Sequence, residues 1–363
     1  MRFSYAMLPD YPLTESLASI QKADELGFHA VYAADETWHK DLWLLFAAAA
    51  ASTSRIRLGP SISGICLREP TLIAQAAATL DELTGGRAEV AVSSGNFGLL
   101  AQYGIDWAKT KPLSRVKEAV HVIRTLLDDG VITYDGEFFK YNGLFTFARP
   151  VQDHLPVKMG AMRGPKSFEA SAEFSDGCHH ALSYTREAYE FMMEHCAIGA
   201  ERAGKNIEDL DMGSWVVFSI AEDSAIAKDA ARSMVGLYAS SMPHEQLKRN
   251  GVLPEEMAPI IDAIGAGDMA RGIELTTPRH RRAALDRRDA GGGRGQDQGA
   301  DRADRGQPHD PRDHRCRAGE GADGPRARGR ARHQRPTPAG PRPGDAGVRL
   351  TSPAGTCPLP SCP

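Results

Sequence analysis

The chain has 363 residues, of which 42% are apolar, and a formal net charge of −4 at pH 7. This apolar content is sufficient for one large core, since barrels of about 250 residues fold as single domains. The negative charge balance argues against a nucleic-acid partner, because binding to a phosphate backbone requires clustered positive charge.

Two further classes of protein are disfavoured by the sequence. No apolar run approaches the ~20 residues of a membrane span, and the N-terminus has a strand pattern without a signal peptide. The three cysteines before the C-terminal tail, Cys66, Cys178 and Cys196, show neither a C-x-x-C pair nor zinc-ligand spacing. This pattern predicts a protein of the reducing cytoplasm with no membrane contact and no metal site.

Strand and helix patterns alternate along residues 1–277. Each apolar strand run precedes a segment with helical spacing, and proline or glycine marks many of the helix ends. The predicted strands are residues 2–8, 30–34, 56–62, 88–92, 157–160, 177–180 and 212–220. The predicted helices are residues 14–26, 42–51, 70–83, 114–127, a helix from 165, 185–203 and 224–238.

Repeated strand–helix units of this length indicate a parallel sheet covered by helices. A hairpin insertion is predicted at residues 130–141, with Asp135-Gly136 as its turn. We expect a (β/α)₈ TIM barrel over residues 1–277 that lacks its last strand. The alternative is an open doubly wound sheet. No G-x-G-x-x-G motif follows the first strand, which favours the barrel.

The composition changes abruptly after Thr277. Residues 278–350 contain no Phe, Ile, Lys, Met, Asn, Ser, Trp or Tyr. One interpretation is a disordered low-complexity tail at residues 278–363. The other is a frameshift, because almost every residue there has a codon that begins with G or C. Shifted by one base, Arg288 to Gly292 permit Gly-Thr-Pro-Glu-Glu, and Gln307 to Pro311 permit Asn-His-Met-Ile-Leu.

Polar residues and glycines follow the carboxyl ends of five predicted strands. In a barrel these ends lie on the face that carries the active site. The candidate site residues, in chain order, are Asp35 and Glu36; Ser61, Ile62 and Ser63; Ser94, Gly95 and Asn96; Gly160, Ala161, Gly164, Pro165 and Lys166; and His179 and His180. We expect Glu36 and His180 to be catalytic and the others to bind a cofactor.

Several segments carry a family resemblance. They are Leu58 to Ser63, Arg68-Glu69-Pro70, A-T-L-D-E-L-T-G-G-R at residues 78–87, M-G-A-M-R-G-P-K at residues 159–166 and Phe174 to Gly177. Together they resemble the luciferase-like flavin and coenzyme F420 oxidoreductases, and are most similar to the methylenetetrahydromethanopterin reductase branch. The resemblance implies a luciferase-type barrel enzyme that uses coenzyme F420, and a homodimer.

The resemblance also implies roles for individual residues. A non-proline cis peptide backing the deazaflavin ring would fall at Ser61-Ile62; the alternative is an ordinary trans strand end. Asp35 matches an acidic residue near the ring. The helix that begins at Gly164-Pro165 suits a cofactor phosphate, with charge from Lys166. The alternative is an ordinary proline-started helix.

Two positions depart from the family pattern. Glu36 stands where relatives commonly have His, and Ser94-Gly95-Asn96 replaces Gly-x-Gly followed by an acid. Glu36 is either a proton donor with a pKa raised by burial or a cap of the second helix. His179 and His180 alternate along a strand, so one faces the barrel mouth, either as a hydrogen-bonding residue or as a base.

These observations predict a reductase that transfers hydride between coenzyme F420 and a small organic substrate containing C=C, C=N or iminium. The departures from the family pattern favour a substrate of specialised metabolism. Within the same class, the alternative is an FMN-dependent luciferase-like monooxygenase. A non-catalytic ligand-binding barrel is the alternative from another class.

Overall fold

The structure is a computed structural model that describes residues 1–161, 164–181 and 185–277. The side chains of residues 180, 181 and 269 are not part of the description. The predicted aberrant tail, residues 278–363, lies outside the described residues.

Within the described ranges, seven strands form one sheet in the order β1-β2-β3-β4-β7-β8-β9, and neighbouring strands are parallel. The strands of this sheet are β1 (Tyr5–Met7), β2 (Ala30–Asp35), β3 (Arg57–Gly64), β4 (Val90–Ser93), β7 (Val157–Ala161), β8 (Gly177–Ala181) and β9 (Asp211–Trp215). The spatial order follows the chain order without a reversal, which is the topology of a barrel and not of a doubly wound sheet. The prediction of an incomplete (β/α)₈ barrel is confirmed.

Helices connect the strands and cover the sheet. Between strands lie α1 (Leu13–Glu25), α2 (Leu42–Ala50), α3 (Pro70–Thr84), α4 (Phe97–Gln102), α5 (Pro112–Asp129), α6 (Pro165–Phe174) and α7 (Arg186–Arg202). After β9 come α8 (Ser224–Ala230), α9 (Arg232–Ala239), α10 (His244–Arg249), α11 (Pro254–Gly265) and α12 (Met269–Leu275). Among the described residues, no helix combines the length and apolarity that crossing a membrane requires.

The ends of α3 show how the local sequence sets these elements. Pro70 occupies the first turn, and the Glu69 carboxylate accepts the backbone N–H groups of Thr71 at 2.7 Å and Leu72 at 3.3 Å. Gly85 ends the helix at φ +65°, a left-handed conformation that favours glycine. The buried face of α3 is part of the main apolar core with α2, α5 and the sheet.

The predicted hairpin is present as a separate two-stranded antiparallel sheet, β5 (Val131–Asp135) and β6 (Lys140–Phe145). Its second strand continues to residue 145, four residues beyond the predicted end at 141. The connection spans residues 136–139, because Asp135 is still in β5 and pairs with Lys140; the prediction of Asp135-Gly136 as the turn is therefore wrong for Asp135.

Three parts of the predicted order of elements were inaccurate. The seventh strand of the large sheet ends at Trp215 and not at 220, because its partner β8 ends at Ala181, opposite Trp215. The predicted helix at 224–238 is divided into α8 and α9 at Ala231, although the hydrogen bond from Val235 N to Ala231 O continues the helical path. The helices α4, α10, α11 and α12 were not predicted.

The two edges of the large sheet, β1 and β9, border an apolar groove of about 160 Å³. Its lining comes from residues 6–8, residues 215–218, Met234 and Tyr238. Val216 and Phe218 are 57% and 78% exposed in this segment. Among the described residues no strand pairs with these two edges, so the groove marks the place where the barrel is incomplete.

Candidate active site

Asp35 is the last residue of β2 and is held from three directions. Its Oδ2 accepts hydrogen bonds from Ser63 Oγ at 2.6 Å and from Trp43 Nε1 at 3.1 Å. Nη1 of Arg68 lies 3.8 Å from Oδ1, and the guanidinium lies 5.5 Å from the centre of the Trp43 ring. Because both carboxylate oxygens face donors, Asp35 is fixed as an acceptor at the carboxyl end of the sheet.

Glu36 follows Asp35, and its side chain is only 16% exposed. The Asn96 side chain donates a hydrogen bond to it, and Nε2 of His39 lies 3.8 Å from Oε2. Burial raises the pKa of Glu36, although attraction to His39 and the bond from Asn96 offset part of the increase. Repulsion from Asp35 raises the pKa further. Glu36 therefore keeps its proton to a higher pH than an exposed glutamate.

Glu36 does not cap the second helix. The N-cap residue of α2 is Asp41, whose Oδ1 accepts the N–H of Leu44 at 3.0 Å. The interpretation of Glu36 as a cap of α2 is therefore wrong, because the first helical residue, Leu42, lies more than one turn beyond it.

The peptide bond between Ser61 and Ile62 is cis, at the position that the resemblance implies. The register between β3 and β4 shifts at the same place, between Ser61 and Ser63. A Cβ atom on Gly160 of β7 would lie 2.6 Å from Cγ2 of Ile62. Glycine at position 160 therefore leaves the room in which the Ile62 side chain lies.

His179 on β8 lies inside the barrel. Its Nδ1 is 3.0 Å from Ser61 Oγ, and its ring packs edge-on against Tyr32 with centroids 5.0 Å apart. Burial, together with repulsion from Lys158, lowers the pKa of His179 to about 4. The ring is therefore neutral near neutral pH and acts as a hydrogen-bonding residue beneath the site. The side chain of His180, predicted to be catalytic, is not among those described.

A buried ionic network fills the barrel interior below His179. Lys158 is 1% exposed; its ammonium lies 3.1 Å from Glu89 Oε1 and also contacts Asp211. Tyr32 donates a hydrogen bond to Glu89, and Arg57 Nε lies 2.9 Å from it. Burial alone would raise the pKa of Glu89, but attraction to Lys158 and the bond from Tyr32 lower it to about 2. Sequence reasoning missed this network, although Glu89 and Lys158 stood out as charges within or beside apolar strand runs.

Three of the interior side chains resemble a metal-ligand set. Ligand atoms of His29, Glu89 and Asp211 lie within 4.8 Å of one another. Lys158 already contacts both carboxylates, and Arg2 Nη2 lies 2.5 Å from Asp211. The two cationic side chains balance the carboxylates, so the charge balance here does not require a metal ion.

The segment after β4 contributes three predicted residues. Ser94 Oγ accepts a hydrogen bond from Trp107 Nε1 at 2.9 Å. Gly95 has φ +102° and packs against Gly64 at the end of β3. Asn96 is the N-cap of α4, and its Oδ1 accepts the N–H of Gly98 at 2.9 Å. The Asn96 side chain thus uses its oxygen for the helix and its amide group for Glu36.

Two more hydrogen bonds join the segments that follow β2 and β4. Trp38 Nε1 donates to Gln102 Oε1 at 2.8 Å, and Tyr103 Oη donates to Thr37 Oγ1 at 3.0 Å. Together with the bond from Asn96, these contacts hold the Glu36 segment against α4. The position of Glu36 therefore depends on residues about 60 positions away in the chain.

The predicted phosphate segment follows β7. Ala161 is buried at the strand end, whereas Pro165 and Lys166 are exposed at the start of α6. Gly164 is the N-cap of α6 with φ +129°, and a Cβ atom there would meet no atom within 4 Å. Ser167 Oγ donates to the Gly164 carbonyl at 2.7 Å. Backbone at this helix start is accessible, as binding of an anion requires.

A family profile described as luciferase-like monooxygenase matches residues 1–293. The chain belongs to this family. The prediction of a luciferase-like oxidoreductase is thereby confirmed, including its similarity to the methylenetetrahydromethanopterin reductases reported next.

Two curated relatives have the same description, 5,10-methylenetetrahydromethanopterin reductase. The protein of Methanolobus tindarius is 31% identical over 268 residues, which cover 74% of this chain and 80% of the relative. That of Archaeoglobus fulgidus is 30% identical over 264 residues, which cover 73% and 78%. A solved structure, the coenzyme F420-dependent tetrahydromethanopterin reductase of Methanopyrus kandleri, matches with a TM-score of 0.69 and 26% identity, covering 77% of this chain and 84% of that one.

Within this luciferase-like barrel, the structure brings most of the predicted residues to one end of the sheet. Asp35, Glu36, Ser63 and Asn96 are joined by direct contacts, and Ile62 meets Gly160. Sequence reasoning missed the partners that hold Asp35 and Glu36, namely Trp43, Arg68 and His39. Their signal was weak, because each is a single polar or aromatic residue in a helix or loop.

Proposed function

We propose that the chain is a coenzyme F420-dependent reductase that transfers hydride between F420 and an organic substrate with a C=C, C=N or iminium group. The observation that carries the proposal is Glu36, a mostly buried carboxyl group with a raised pKa at the same end of the sheet as the Ser61-Ile62 bulge. Two similar proteins support it: the Methanopyrus kandleri structure is that of an F420-dependent reductase, and the Methanolobus tindarius relative is a reductase.

The residues present fit a flat cofactor with a phosphate group. The bulge at Ile62 is accommodated by Gly160, where a Cβ would collide with Ile62. Gly164 offers an approach to the backbone at the start of α6 without a side chain. Nε of Arg68 is buried without a hydrogen-bond partner among the described residues, so this donor is available beside Asp35.

When bound, reduced F420 would be the source of the hydride that the electrophilic carbon of the substrate accepts. Asp35, held by Ser63 and Trp43, is a fixed hydrogen-bond acceptor beside the cofactor position. The Glu36 carboxyl group donates a proton to the substrate atom that gains negative charge. Its raised pKa keeps the proton on the oxygen to a higher pH than in an exposed glutamate, and the protonated form is the one that a general acid needs.

The proposal extends to the size of the substrate, the oligomeric state and the cellular compartment. The substrate is a small molecule, the enzyme a homodimer by resemblance to its family, and its compartment the cytoplasm. The free cysteines Cys66, Cys178 and Cys196 agree with a reducing compartment.

Cofactor binding tests the proposal directly. The 363-residue chain, and a chain in which the coding frame is shifted by one nucleotide after Thr277, are titrated with F420 and with FMN. Binding of F420 followed by anaerobic oxidation of reduced F420 by an imine or enone supports the reductase. Preferential binding of FMN with oxygen consumption would establish the monooxygenase instead. No binding of either at micromolar concentration would favour the non-catalytic barrel.

A further inference from the structure

Behind Glu36 lies a histidine that faces a carboxylate on each side. Nδ1 of His39 is 2.5 Å from Oδ1 of Asp10, and its Nε2 is 3.8 Å from Oε2 of Glu36. Asp10 lies in the segment between β1 and α1, and His39 in the segment between β2 and α2. Two segments at the same end of the sheet thus place the imidazole between Asp10 and Glu36.

The ring is held in this position by the backbone around it. Lys40 Nζ donates to the carbonyls of Asp10 at 2.8 Å and Tyr11 at 3.0 Å, which ties the first segment to the second. The N–H of His39 donates to the Glu36 carbonyl at 3.0 Å. The side chain of His39 is 11% exposed, whereas that of Asp10 is 53% exposed. The contacts from Asp10 through His39 to Glu36 therefore connect an exposed carboxylate with a mostly buried carboxyl group.

We propose that His39, oriented by Asp10, returns a proton to Glu36 after each turnover. The inference rests on the proposed function, in which Glu36 gives its proton to the substrate. The Glu36 carboxylate then takes the proton of the His39 imidazolium: the Nε2–H bond breaks and an O–H bond forms on Oε2. The neutral ring keeps its Nδ1 proton directed at Asp10, and Nε2 takes the next proton from water.

The distances agree with this role. At 3.8 Å, Nε2 and Oε2 lie just outside the range of a hydrogen bond, so a rotation of the Glu36 carboxyl brings them together. Asp10, although half-exposed, stabilises the imidazolium and selects the tautomer with the proton on Nδ1, as a carboxylate does behind a catalytic histidine. His39 and Asp10 are thus positioning residues that act through Glu36.

The groups facing Glu36 determine the sign of the expected effect. They are His39 from its own segment, Asp35 from β2, Asn96 from the start of α4 and, at longer range, Tyr238 from α9. His39 is the group among them whose positive charge, when the ring is protonated, lowers the pKa of Glu36. Burial and the charge of Asp35 both raise the pKa of Glu36. If a neutral side chain replaces His39, no positive charge offsets them, and we expect the pKa of Glu36 to rise further.

The first test needs neither cofactor nor substrate. The infrared absorption of the protonated Glu36 carboxyl is followed against pH in the 363-residue chain, with the spectrum of Glu36→Gln subtracted. His39→Gln and Asp10→Asn are both expected to move the midpoint of the Glu36 titration to higher pH. Asp10→Asn keeps the imidazole ring and serves as the second variant if His39→Gln does not fold. The matched control is His195→Gln, since His195 lies 3.3 Å from Glu169 but far along the chain on α7. Midpoints equal to that of the unsubstituted chain in both variants would overturn the coupling.

The second test measures turnover of the same variants in whichever chain reduces substrate with F420. His39→Gln is expected to lower kcat at least about 10-fold with KM unchanged, less than the roughly 10²–10⁴-fold expected for loss of the proton donor. Added imidazole should restore part of the rate in His39→Ala. Unchanged kcat in His39→Gln would contradict the proposal. If the parent chain has no F420-dependent turnover, the proposed function fails, whereas the infrared titration still decides the coupling.

Discussion

Glu36 illustrates how a single position can combine opposing influences. Burial and the neighbouring Asp35 raise its pKa, while His39 and Asn96 stabilise the charged form. The group remains protonated to a higher pH than a free glutamate, and His39, 3.8 Å away, is the group from which we propose that its proton is restored. These properties support the proposed role of Glu36 as a general acid.

The first residue-scale prediction concerns Glu36→Gln. The size of the side chain is kept and the proton donor lost, so kcat should fall by roughly 10²–10⁴-fold while the Kd for F420 stays nearly constant. In the unsubstituted enzyme, the rate should decline as pH rises through the raised pKa of Glu36, and this decline should vanish in the variant. The exposed Glu208 provides the control, Glu208→Gln. Unchanged turnover in Glu36→Gln would rule out Glu36 as the donor.

A second residue-scale prediction concerns the start of α6. Gly164 has φ +129°, which valine does not adopt without strain. Gly164→Val should therefore both restrict the approach to the backbone and distort it, raising the Kd for F420 about 10-fold, equivalent to ~1.4 kcal/mol. Gly267→Val carries comparable strain at φ +84° between α11 and α12 and should leave the Kd unchanged. Equal Kd values for the two variants, measured by fluorescence titration, would remove Gly164 from the cofactor site.

At the scale of the strands, the barrel interior is ionic where an apolar filling is usual. Lys158 of β7 contacts Glu89, just before β4, and Asp211 of β9. Lys158 is the cation that contacts both carboxylates, and its removal leaves Glu89 with Arg57 and Asp211 with Arg2 as their remaining cations, which compensate the buried charge only in part. The network should therefore be a sensitive point for stability.

Lys158→Met tests this directly. We expect the free energy of unfolding to fall by about 3–5 kcal/mol, because Glu89 and Asp211 lose their shared cation inside the barrel. Lys248→Met, which removes an exposed ion pair with Glu245, should change it by less than about 1 kcal/mol. Denaturant titration at neutral pH measures both, and similar small losses would show that the interior pairs contribute little.

The same strands predict how stability depends on pH. The pKa of Glu89 is about 2 in the folded chain, below the ordinary 4.5, and that of His179 is about 4, below the ordinary 6.5. The unfolded chain therefore binds more protons than the folded one between about pH 6.5 and 2, so the free energy of unfolding falls as pH decreases through this range. Denaturant titrations across it should show that fall, with the part below about pH 4.5 reduced in Glu89→Gln. A free energy of unfolding independent of pH over this range would contradict the assignment.

At the scale of the whole molecule, the main feature is the pair of sheet edges, β1 and β9. Neither has a second neighbour among the described residues, and they border the apolar groove with Val216 and Phe218 exposed. An unpaired edge offers free N–H and C=O groups and weakens the adjacent strand. The site residues of β2 lie one strand away from this opening.

We therefore predict that shifting the coding frame by one nucleotide after Thr277 increases both stability and F420-dependent turnover. The shifted sequence permits Asn-His-Met-Ile-Leu, an apolar run suited to pair with β9 and β1. Hydrogen exchange at the amides of β1 should slow relative to the 363-residue chain. Full F420-dependent turnover by the 363-residue chain, or β1 amides already as protected as those of β3, would refute the frameshift hypothesis.

The order of elements followed from local patterns, because apolar periodicity, Pro70 and Gly85 act within a few residues of one another. The resemblance located the cis peptide at Ser61-Ile62, and the strand ends indicated Asp35 and Glu36. Only the tertiary structure decided what surrounds them. Contacts such as Asn96 to Glu36, Asp10 to His39 and Lys158 to Asp211 join residues 29 to 60 positions apart. Such pairs depend on how the strands of the whole sheet are staggered and curved, because two of the three join strands that are not neighbours, and no local pattern encodes this arrangement.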